Sequence, residues 1–227
     1  MKIQQFYNQN QFPGIYKLQD FENYGKFIKN KYLRIIDKHL NDGQTVLDAG
    51  CGTGLISNLF AYRYPASEFT AVDFADGIEY AKQFSNTNCL NNIKFIKKDL
   101  LEYTNYKQFD MIICQGVLHH IPNWYTVITK LKAWTKPGGK LVLGLYHPCG
   151  KIAKKFFNIN YGSDVLYKDQ ELVPYENCFS LDEVMQMTKG FNLIDFAPSR
   201  TLNSVAISAC LNYKNGGLIT YILEKTK

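Results

Sequence analysis

The sequence predicts an α/β fold: a doubly wound, seven-stranded, mostly parallel sheet with helices on both faces. Apolar strand-like runs alternate with helix-like segments along the chain, which is the pattern of parallel sheets. One buried strand runs directly into a glycine-rich turn at 46–54. The 227 residues, with 46% hydrophobic and 20% charged, suit one compact domain rather than a disordered or fibrous chain.

Seven runs between turn signals are predicted as strands, at 45–49, 68–73, 93–97, 109–114, 140–146, 191–197 and 218–224. Five segments are predicted as helices, at 21–40, 54–63, 75–85, 123–134 and 180–188. Pro122 suits a helix start, and Pro137-Gly138-Gly139 predicts a turn before the fifth strand.

These elements give a single domain over 1–227 with four parts. We predict an N-terminal helical cap at 1–44, a ligand-binding core at 45–147, an inserted lid at 148–179 and the C-terminal part of the sheet at 180–227. The stretch from Cys149 to Cys178 has no clear period, and long loops in compact domains are usually functional. Segments 1–20 and 148–179 are rich in aromatic residues, so we expect both to close over a ligand.

The loop after the first strand is the most specific motif. Gly50, Gly52 and Gly54 stand where a strand turns into a helix, so free backbone N–H groups and the helix dipole meet a ligand there. A dinucleotide fold is the rival, but its fingerprint needs a third glycine at the position of Leu55. Asp48 precedes the loop, where it would repel a pyrophosphate but suit an ammonium and a sulfonium. S-adenosylmethionine carries both groups.

Carboxylates also follow the next two strands, and ligands of open α/β sheets lie beyond the carboxyl ends of the strands. We expect Asp73 to accept hydrogen bonds from two ribose hydroxyls, and Phe74 to lie against the adenine ring. Asp99, beside Leu100, is expected to accept from the adenine amino group. Two structural alternatives remain open: Asp73 as a helix N-cap, and Asp99 as a polar residue that ends a strand.

The stretch from Val46 to about Pro148 resembles the core of class I S-adenosylmethionine-dependent methyltransferases. The resemblance rests on the glycine loop, the two later acids, the run 109–114 leading into Gln115-Gly116-Val117-Leu118-His119-His120, and Lys136-Pro137-Gly138-Gly139 before a strand. It implies a Rossmann-like methyltransferase fold and an enzyme that transfers a methyl group from S-adenosylmethionine, with Cys51 and Gln115 in the cofactor site. Within the superfamily, the Val-Leu-His-His run is most similar to small-molecule enzymes of the quinone-biosynthesis type.

A hydroxyl or acidic carbon acceptor must lose a proton, and histidine is the natural base near neutral pH. We predict two catalytic residues: His147, at the end of the fifth strand, and His119, at the start of the helix after the fourth strand. Each also has an alternative as a structural histidine. The pair His119-His120 lacks further ligand spacing, so no metal site is expected. No Asn/Asp-Pro-Pro-aromatic loop follows the fourth strand, which argues against methylation of exocyclic base amines.

The expected acceptor is a small molecule, of acidic or aromatic character, bound under the lid. The residues behind this expectation are lysines and aromatics, with one later arginine: Lys151, Lys154, Lys155, Phe156, Phe157, Tyr161, Tyr167, Tyr175 and Arg200. The same mixture occurs in grooves for single-stranded nucleic acid, and the net charge is +6. An RNA or protein methyltransferase, or an inactive S-adenosylmethionine-binding protein, therefore stays open. The oligomeric state is not predicted.

The location of the protein is predicted from cysteine usage and hydropathy. Six cysteines show no C-x-x-C pair and no metal spacing. No apolar run approaches the roughly 18 residues of a membrane span, and the first residues do not begin a signal peptide. We expect a cytoplasmic protein without a membrane span.

Overall fold

The computed structural model describes residues 3–22, 29–156, 175–198, 204–212 and 217–227. Its centre is a seven-stranded sheet in the order β3-β2-β1-β4-β5-β7-β6. The strands are β1 Thr45–Ala49, β2 Glu68–Asp73, β3 Ile93–Lys97, β4 Phe109–Gln115, β5 Thr135–Tyr146, β6 Phe191–Ala197 and β7 Leu218–Lys225. Strands β1 to β5 pair in parallel, whereas β7 is antiparallel to both of its neighbours. The predicted seven-stranded, mostly parallel sheet is confirmed.

Nine helices of the described ranges surround the sheet. They are α1 Ile3–Gln9, α2 Leu18–Glu22, α3 Lys31–His39, α4 Leu55–Arg63, α5 Gly77–Thr87, α6 Trp124–Trp134, α7 Pro148–Phe156, α8 Leu181–Met187 and α9 Val205–Leu211. A short 3₁₀ turn spans Leu118–His120 between β4 and α6. In the described part of the chain, none of these helices has the length and hydropathy that crossing a membrane requires.

Two apolar layers hold the helices on the sheet, because successive residues of a strand point to opposite faces. On one face, Leu47 and Ile112 lie fully buried in a cluster that includes residues of α6, α8 and α9. On the other face, Val46 and Met111 lie in a cluster with residues of α3, α4 and α5. Burial on both faces explains why the central strands read as continuous apolar runs.

The first predicted helix, 21–40, is wrong in its start. Asn30 has an extended backbone and its side-chain oxygen accepts from the N–H groups of Tyr32, at 3.0 Å, and Leu33, at 3.3 Å, so a new helix begins at Lys31. A cap of this kind ends any helix that precedes it. Residues 23–28 lie outside the described ranges.

The predicted turn at Pro137-Gly138-Gly139 is also wrong, because β5 runs through it from Thr135 to Tyr146. Gly138 has a φ of +72°, and the register against β4 shifts between Phe109 and Met111. The glycines therefore form an irregularity inside a longer strand, as β-bulges do.

The predicted lid at 148–179 is described only at its two ends. Residues 148–156 form α7, and the N–H of Phe179 donates to the carbonyl of Tyr146 at 2.8 Å. Phe157, Tyr161, Tyr167 and Arg200 lie outside the described residues, as does the side chain of Lys154. The lid therefore stays a prediction.

Candidate active site

A cavity of about 710 Å³ opens at the carboxyl ends of the strands. The strand order reverses between β1 and β4, which is where open α/β sheets bind ligands. Its volume lies in the range of small-molecule pockets, roughly 300–1,000 Å³. Nine of the ten predicted cofactor residues line it: Asp48, Gly50, Cys51, Gly52, Asp73, Phe74, Asp99, Leu100 and Gln115.

The tenth predicted residue, Gly54, lies where α4 packs against α5. It has a φ of +76° and is the N-cap of α4, and it does not line the cavity. A Cβ at this position would lie 2.5 Å from the Cβ of Ala81 on α5. The glycine therefore lets two helices pack closely beside the loop.

Asp48 is a buried acid on β1, 2% exposed, and accepts a hydrogen bond from the Ser57 hydroxyl at 2.5 Å. Burial raises the pKa of Asp48 to about 7, with the Ser57 hydrogen bond acting against this shift and the charge of Asp73 adding to it. At neutral pH the group is thus divided between its two protonation states. A cation in the cavity would favour the carboxylate.

Asp73 joins the glycine loop to the entry of the next helix. One carboxylate oxygen accepts from the N–H of Gly52 at 2.8 Å, and the other accepts from the N–H of Ala75 at 2.8 Å. Burial raises the pKa of Asp73, and these backbone hydrogen bonds act against that shift. A carboxylate has about four acceptor sites, so capacity remains for a ligand's hydroxyls. The capping alternative and the ligand-binding expectation are therefore compatible.

The loop that carries Asp99 is hydrogen-bonded by Lys130, a residue that the sequence analysis did not single out. Asp99 accepts from the N–H of Leu101 at 2.8 Å. The amino group of Lys130, on α6, donates to the carbonyls of Leu100, Leu101 and Tyr103 at 3.2, 2.6 and 2.9 Å. Nothing in the local sequence marks this lysine, because its partners lie about thirty positions away.

Gln115, at the end of β4, is oriented by the neighbouring strands. The Thr220 hydroxyl donates to the side-chain oxygen of Gln115 at 3.0 Å. A Cβ on Gly144 would lie 2.4 Å from Cδ of Gln115, so the glycine makes room for this side chain. With its oxygen engaged, the amide presents its N–H groups as donors to a ligand.

The histidines are arranged differently from the prediction. His120 lines the cavity, and neither His119 nor His147 does. Nδ1 of His120 lies 3.1 Å from the carbonyl oxygen of Tyr175. A carbonyl only accepts, so Nδ1 carries the proton and Nε2 of the neutral ring is an acceptor.

The two histidines that we predicted as catalytic lie outside the cavity lining, and their role stays a prediction. His119 is fully buried, with its ring 4.2 Å from the ring of His120 and 4.1 Å from that of Tyr146. Burial, reinforced by His120 and Lys151, holds its pKa well below the usual value. Nδ1 of His147 accepts from the N–H of Cys149 at 3.2 Å, which satisfies a free amide in the first turn of α7.

Residues 12–16 form three hydrogen bonds with Thr53 of the glycine loop and one with Asn58 of α4. The Thr53 N–H donates to the carbonyl of Phe12, and the Thr53 hydroxyl donates to that of Gly14, each at 2.9 Å. The Tyr16 hydroxyl donates to the carbonyl of Thr53 and accepts from the Asn58 amide, each at 2.7 Å. These bonds attach this part of the predicted cap to the loop, and Phe12 and Pro13 line the cavity.

Helix α1 covers the neighbouring part of the cavity. The Gln4 amide donates to the carbonyl of Phe74 at 3.0 Å. The ring of Tyr7 lies 6.5 Å from that of Phe74 and 6.1 Å from that of His120, in edge-on geometry. Aromatic richness near the N-terminus was the sequence signal for this contact. In the described ranges no group of three or more possible metal ligands occurs.

The parallel sheet, the glycine loop and the acids at the strand ends define the chain as a class I S-adenosylmethionine-dependent methyltransferase domain. It belongs to the family described as "Methyltransferase domain", whose model matches residues 40–213, more than half of the chain.

Two curated relatives are (S)-coclaurine N-methyltransferase of Papaver somniferum, 28% identical over 155 residues, and ubiquinone biosynthesis O-methyltransferase of Glaesserella parasuis, 31% identical over 134 residues. These matches cover 66% and 56% of this chain. The chain spans only 43% and 54% of the length of these relatives. Magnesium protoporphyrin IX methyltransferase of Synechocystis PCC 6803, solved with S-adenosylhomocysteine (SAH), has a TM-score of 0.65 and 15% identity, covering 99% of this chain and 98% of its own. At 15% identity, this similarity shows a shared fold and nothing further.

Proposed function

We propose that this protein transfers a methyl group from S-adenosylmethionine to a small-molecule acceptor. The observation that carries the proposal is one cavity that joins the acids at the ends of β1 and β2 to His120. When bound, S-adenosylmethionine supplies an electrophilic methyl group on a sulfonium, which is a good leaving group. The protein then has to position the acceptor, exclude water and remove a proton where the acceptor has one to lose.

The donor set of the cavity fits this cofactor. Asp48 offers negative charge to the ammonium group, and Asp73 keeps acceptor capacity for the ribose hydroxyls. Asp99 would hold the adenine amino group, with Phe74 beside the ring, and Gln115 offers an amide donor to the methionine carboxylate. These assignments support binding of S-adenosylmethionine rather than of a pyrophosphate.

For an acceptor with a hydroxyl or an acidic carbon, we assign the base to His120 in place of His119 and His147. Its Nε2 takes the proton as the acceptor atom forms its bond to the methyl carbon. The Tyr175 carbonyl holds the Nδ1–H and stabilises the charged ring that results. The place of His120 on the cavity wall and its tautomer support this assignment. Because Nε2 is buried in this structure, the acceptor has to displace a neighbouring side chain to reach it.

Support for a small acceptor comes from the concave and partly aromatic walls, to which Tyr7, Phe12 and Tyr146 contribute. The names of the relatives, which mention coclaurine and ubiquinone biosynthesis, point in the same direction. All six cysteines are free thiols, which supports a reducing location such as the cytoplasm.

The test is turnover to SAH against a panel of phenols, amines and carboxylic acids, with His120→Asn as the decisive variant. Asparagine can still donate to the Tyr175 carbonyl but cannot act as a base. We expect turnover of a hydroxyl acceptor to fall about 10²–10⁴-fold while the Kd for SAH stays within about twofold. His147→Asn is the matched control and should keep its turnover.

Other outcomes would lead to other functions. Binding of SAH without turnover of any acceptor would indicate an S-adenosylmethionine-binding protein without activity. Methylation of RNA or of a protein in place of the panel would replace the small-molecule proposal. Unchanged turnover in His120→Asn would remove this residue from proton transfer, as expected for an amine acceptor that is already nucleophilic.

A further inference from the structure

The charged side chains of the cavity are divided between its two ends. Asp48 and Asp73 lie on β1 and β2, and Asp99 follows β3; these three form the cofactor end. Lys29 and Lys31 line the cavity beside the start of α3. Apart from these five and His120, no ionisable acid, lysine, arginine or histidine of the described ranges lines the cavity.

The two lysines lie beside different strands of the sheet from the acids. The carboxylates belong to β1, β2 and β3, whereas α3 packs against β6 and β7 at the other side of the sheet. The Asn212 amide donates both to the Tyr32 hydroxyl, at 2.8 Å, and to the carbonyl of Leu218, at 2.9 Å, which ties the first turn of α3 to β7. We call this side, lined by Lys29, Lys31, Tyr32 and Leu218, the acceptor end.

Both lysines are exposed, and neither forms an ion pair with a residue in the described part of the chain. Asn30, between them, uses its side chain to cap α3, and the first turn of that helix contains no acid. The cavity is therefore lined by two lysines at one end and by three carboxylates at the other.

We propose that the methyl acceptor carries an anionic group, and that Lys29 and Lys31 bind this group at the acceptor end. The inference rests on the proposed function. Between the two ends, at β4 and β5, lie Gln115, His120 and Tyr146. An acceptor whose reactive atom is bound there would extend along Leu218, with its anionic group at the lysines. Lysine binds such groups as a point charge, so the site discriminates by charge more than by shape.

The experiment compares two fluorescent probes that share an anilinonaphthalene body. The probe 8-anilinonaphthalene-1-sulfonate is anionic, and N-phenyl-1-naphthylamine is neutral. Both are titrated into the full chain saturated with SAH, so that the cofactor end is filled. The variants are the double substitution Lys29→Gln/Lys31→Gln and a control of equal charge, Lys94→Gln/Lys107→Gln, whose two exposed lysines lie outside the cavity.

We expect the cavity variant to raise the Kd of the anionic probe about tenfold and that of the neutral probe less than twofold. The control variant should change neither, and added salt should weaken only the anionic probe. In turnover experiments, the cavity variant should have a higher KM for acidic acceptors than the wild type and an unchanged kcat.

The proposal is overturned if the anionic probe does not bind, if both probes weaken equally, or if the control variant weakens the anionic probe as much. The Kd for SAH separates this inference from the proposed function. Loss of SAH binding in the wild type would overturn the proposed function, whereas unchanged SAH binding with no charge preference overturns only this inference.

Discussion

The buried carboxyl group of Asp48 leads to a prediction about how cofactor binding depends on pH. Burial raises its pKa to about 7, so part of the unliganded protein carries a proton there at neutral pH. A bound ammonium group favours the carboxylate, and binding at lower pH must therefore expel this proton. We expect the affinity for SAH to rise from pH 6 towards pH 8, with a slope approaching tenfold per pH unit below 7. Calorimetry in buffers of different ionisation enthalpy would measure the released proton.

Asp48→Asn is the control for this prediction, because an asparagine oxygen can still accept from Ser57. Its affinity for SAH should be weaker and should not change with pH in this range. An equal slope in wild type and variant would assign the pH dependence to another group.

Gly52 gives a second prediction at the residue scale. It has a φ of +55°, and a Cβ there would lie 2.2 Å from the carbonyl oxygen of Phe12. Gly52→Ala should therefore displace residues 12–16 and weaken SAH binding more than tenfold, as measured by calorimetry. Gly43→Ala is the matched control, since Gly43 has a φ of +81° but nothing within 4 Å of the added Cβ. It should cost about 1–2 kcal/mol of stability and leave the affinity unchanged.

The positions of Asp73 and Asp99 could be predicted because the carboxyl ends of parallel strands meet at one edge of the sheet. The choice among the histidines could not. It depends on a 3₁₀ turn at Leu118–His120 in place of a helix, and on the Tyr175 carbonyl, 55 positions away. Neither feature leaves a periodic signal in the local sequence.

At the scale of elements, the strands followed from apolar runs, and the predicted bounds of six of them agree with the structure within one residue. The exception is β5, which begins at Thr135 rather than at Lys140. The start of the first helix could not be predicted, because Asn30 reads as an ordinary polar residue until its cap geometry is known. The sequence also did not reveal the hydrogen bonds of residues 12–16, which we expected to close over the ligand. Their aromatic content was visible in the sequence, but their backbone hydrogen bonds to the glycine loop were not.

The hydrogen bonds of the N-terminal segment predict a fixed wall rather than a closing flap. The Thr53 amide, bonded to Phe12, should be protected from hydrogen exchange without ligand, and SAH should add little. Tyr16→Phe removes the hydroxyl that lies between Thr53 and Asn58, and should speed this exchange several-fold and cost about 1 kcal/mol. Tyr106→Phe, at a fully exposed position, should change neither. A large gain of protection on adding SAH would restore the closing lid.

At the scale of the whole molecule, the seven strands and the class of fold could be predicted, but the course of the cavity could not. The cavity crosses the sheet from the loop after β3 to β7, so it depends on strand order and on where α3 returns to the sheet. These contacts join residues as far apart as Tyr32 and Asn212. A single sequence contains no pattern that pairs them.

Concentrating buried acids at one end of this cavity must also affect folding. Asp48 has a folded-state pKa of about 7, above its ordinary value of 3.8. Because the pKa is raised, the contribution of Asp48 to folding stability is fully present below its pKa in the unfolded chain. It is lost as pH rises through the folded-state value of about 7. The complete loss is on the order of 4 kcal/mol. Without ligand, Asp48→Asn should therefore be more stable than wild type, and by about 2–3 kcal/mol more at pH 8 than at pH 5.

Urea unfolding of both proteins at the two pH values measures this difference, and using the difference cancels the contributions of other titrating groups. Saturating SAH should reverse the order at pH 8, because binding stabilises the wild type more than the variant. If the variant shows no excess stability at pH 8, Asp48 is not the buried acid whose ionisation opposes folding. A reversal by SAH would mean that the ligand's positive charge stabilises the Asp48 carboxylate.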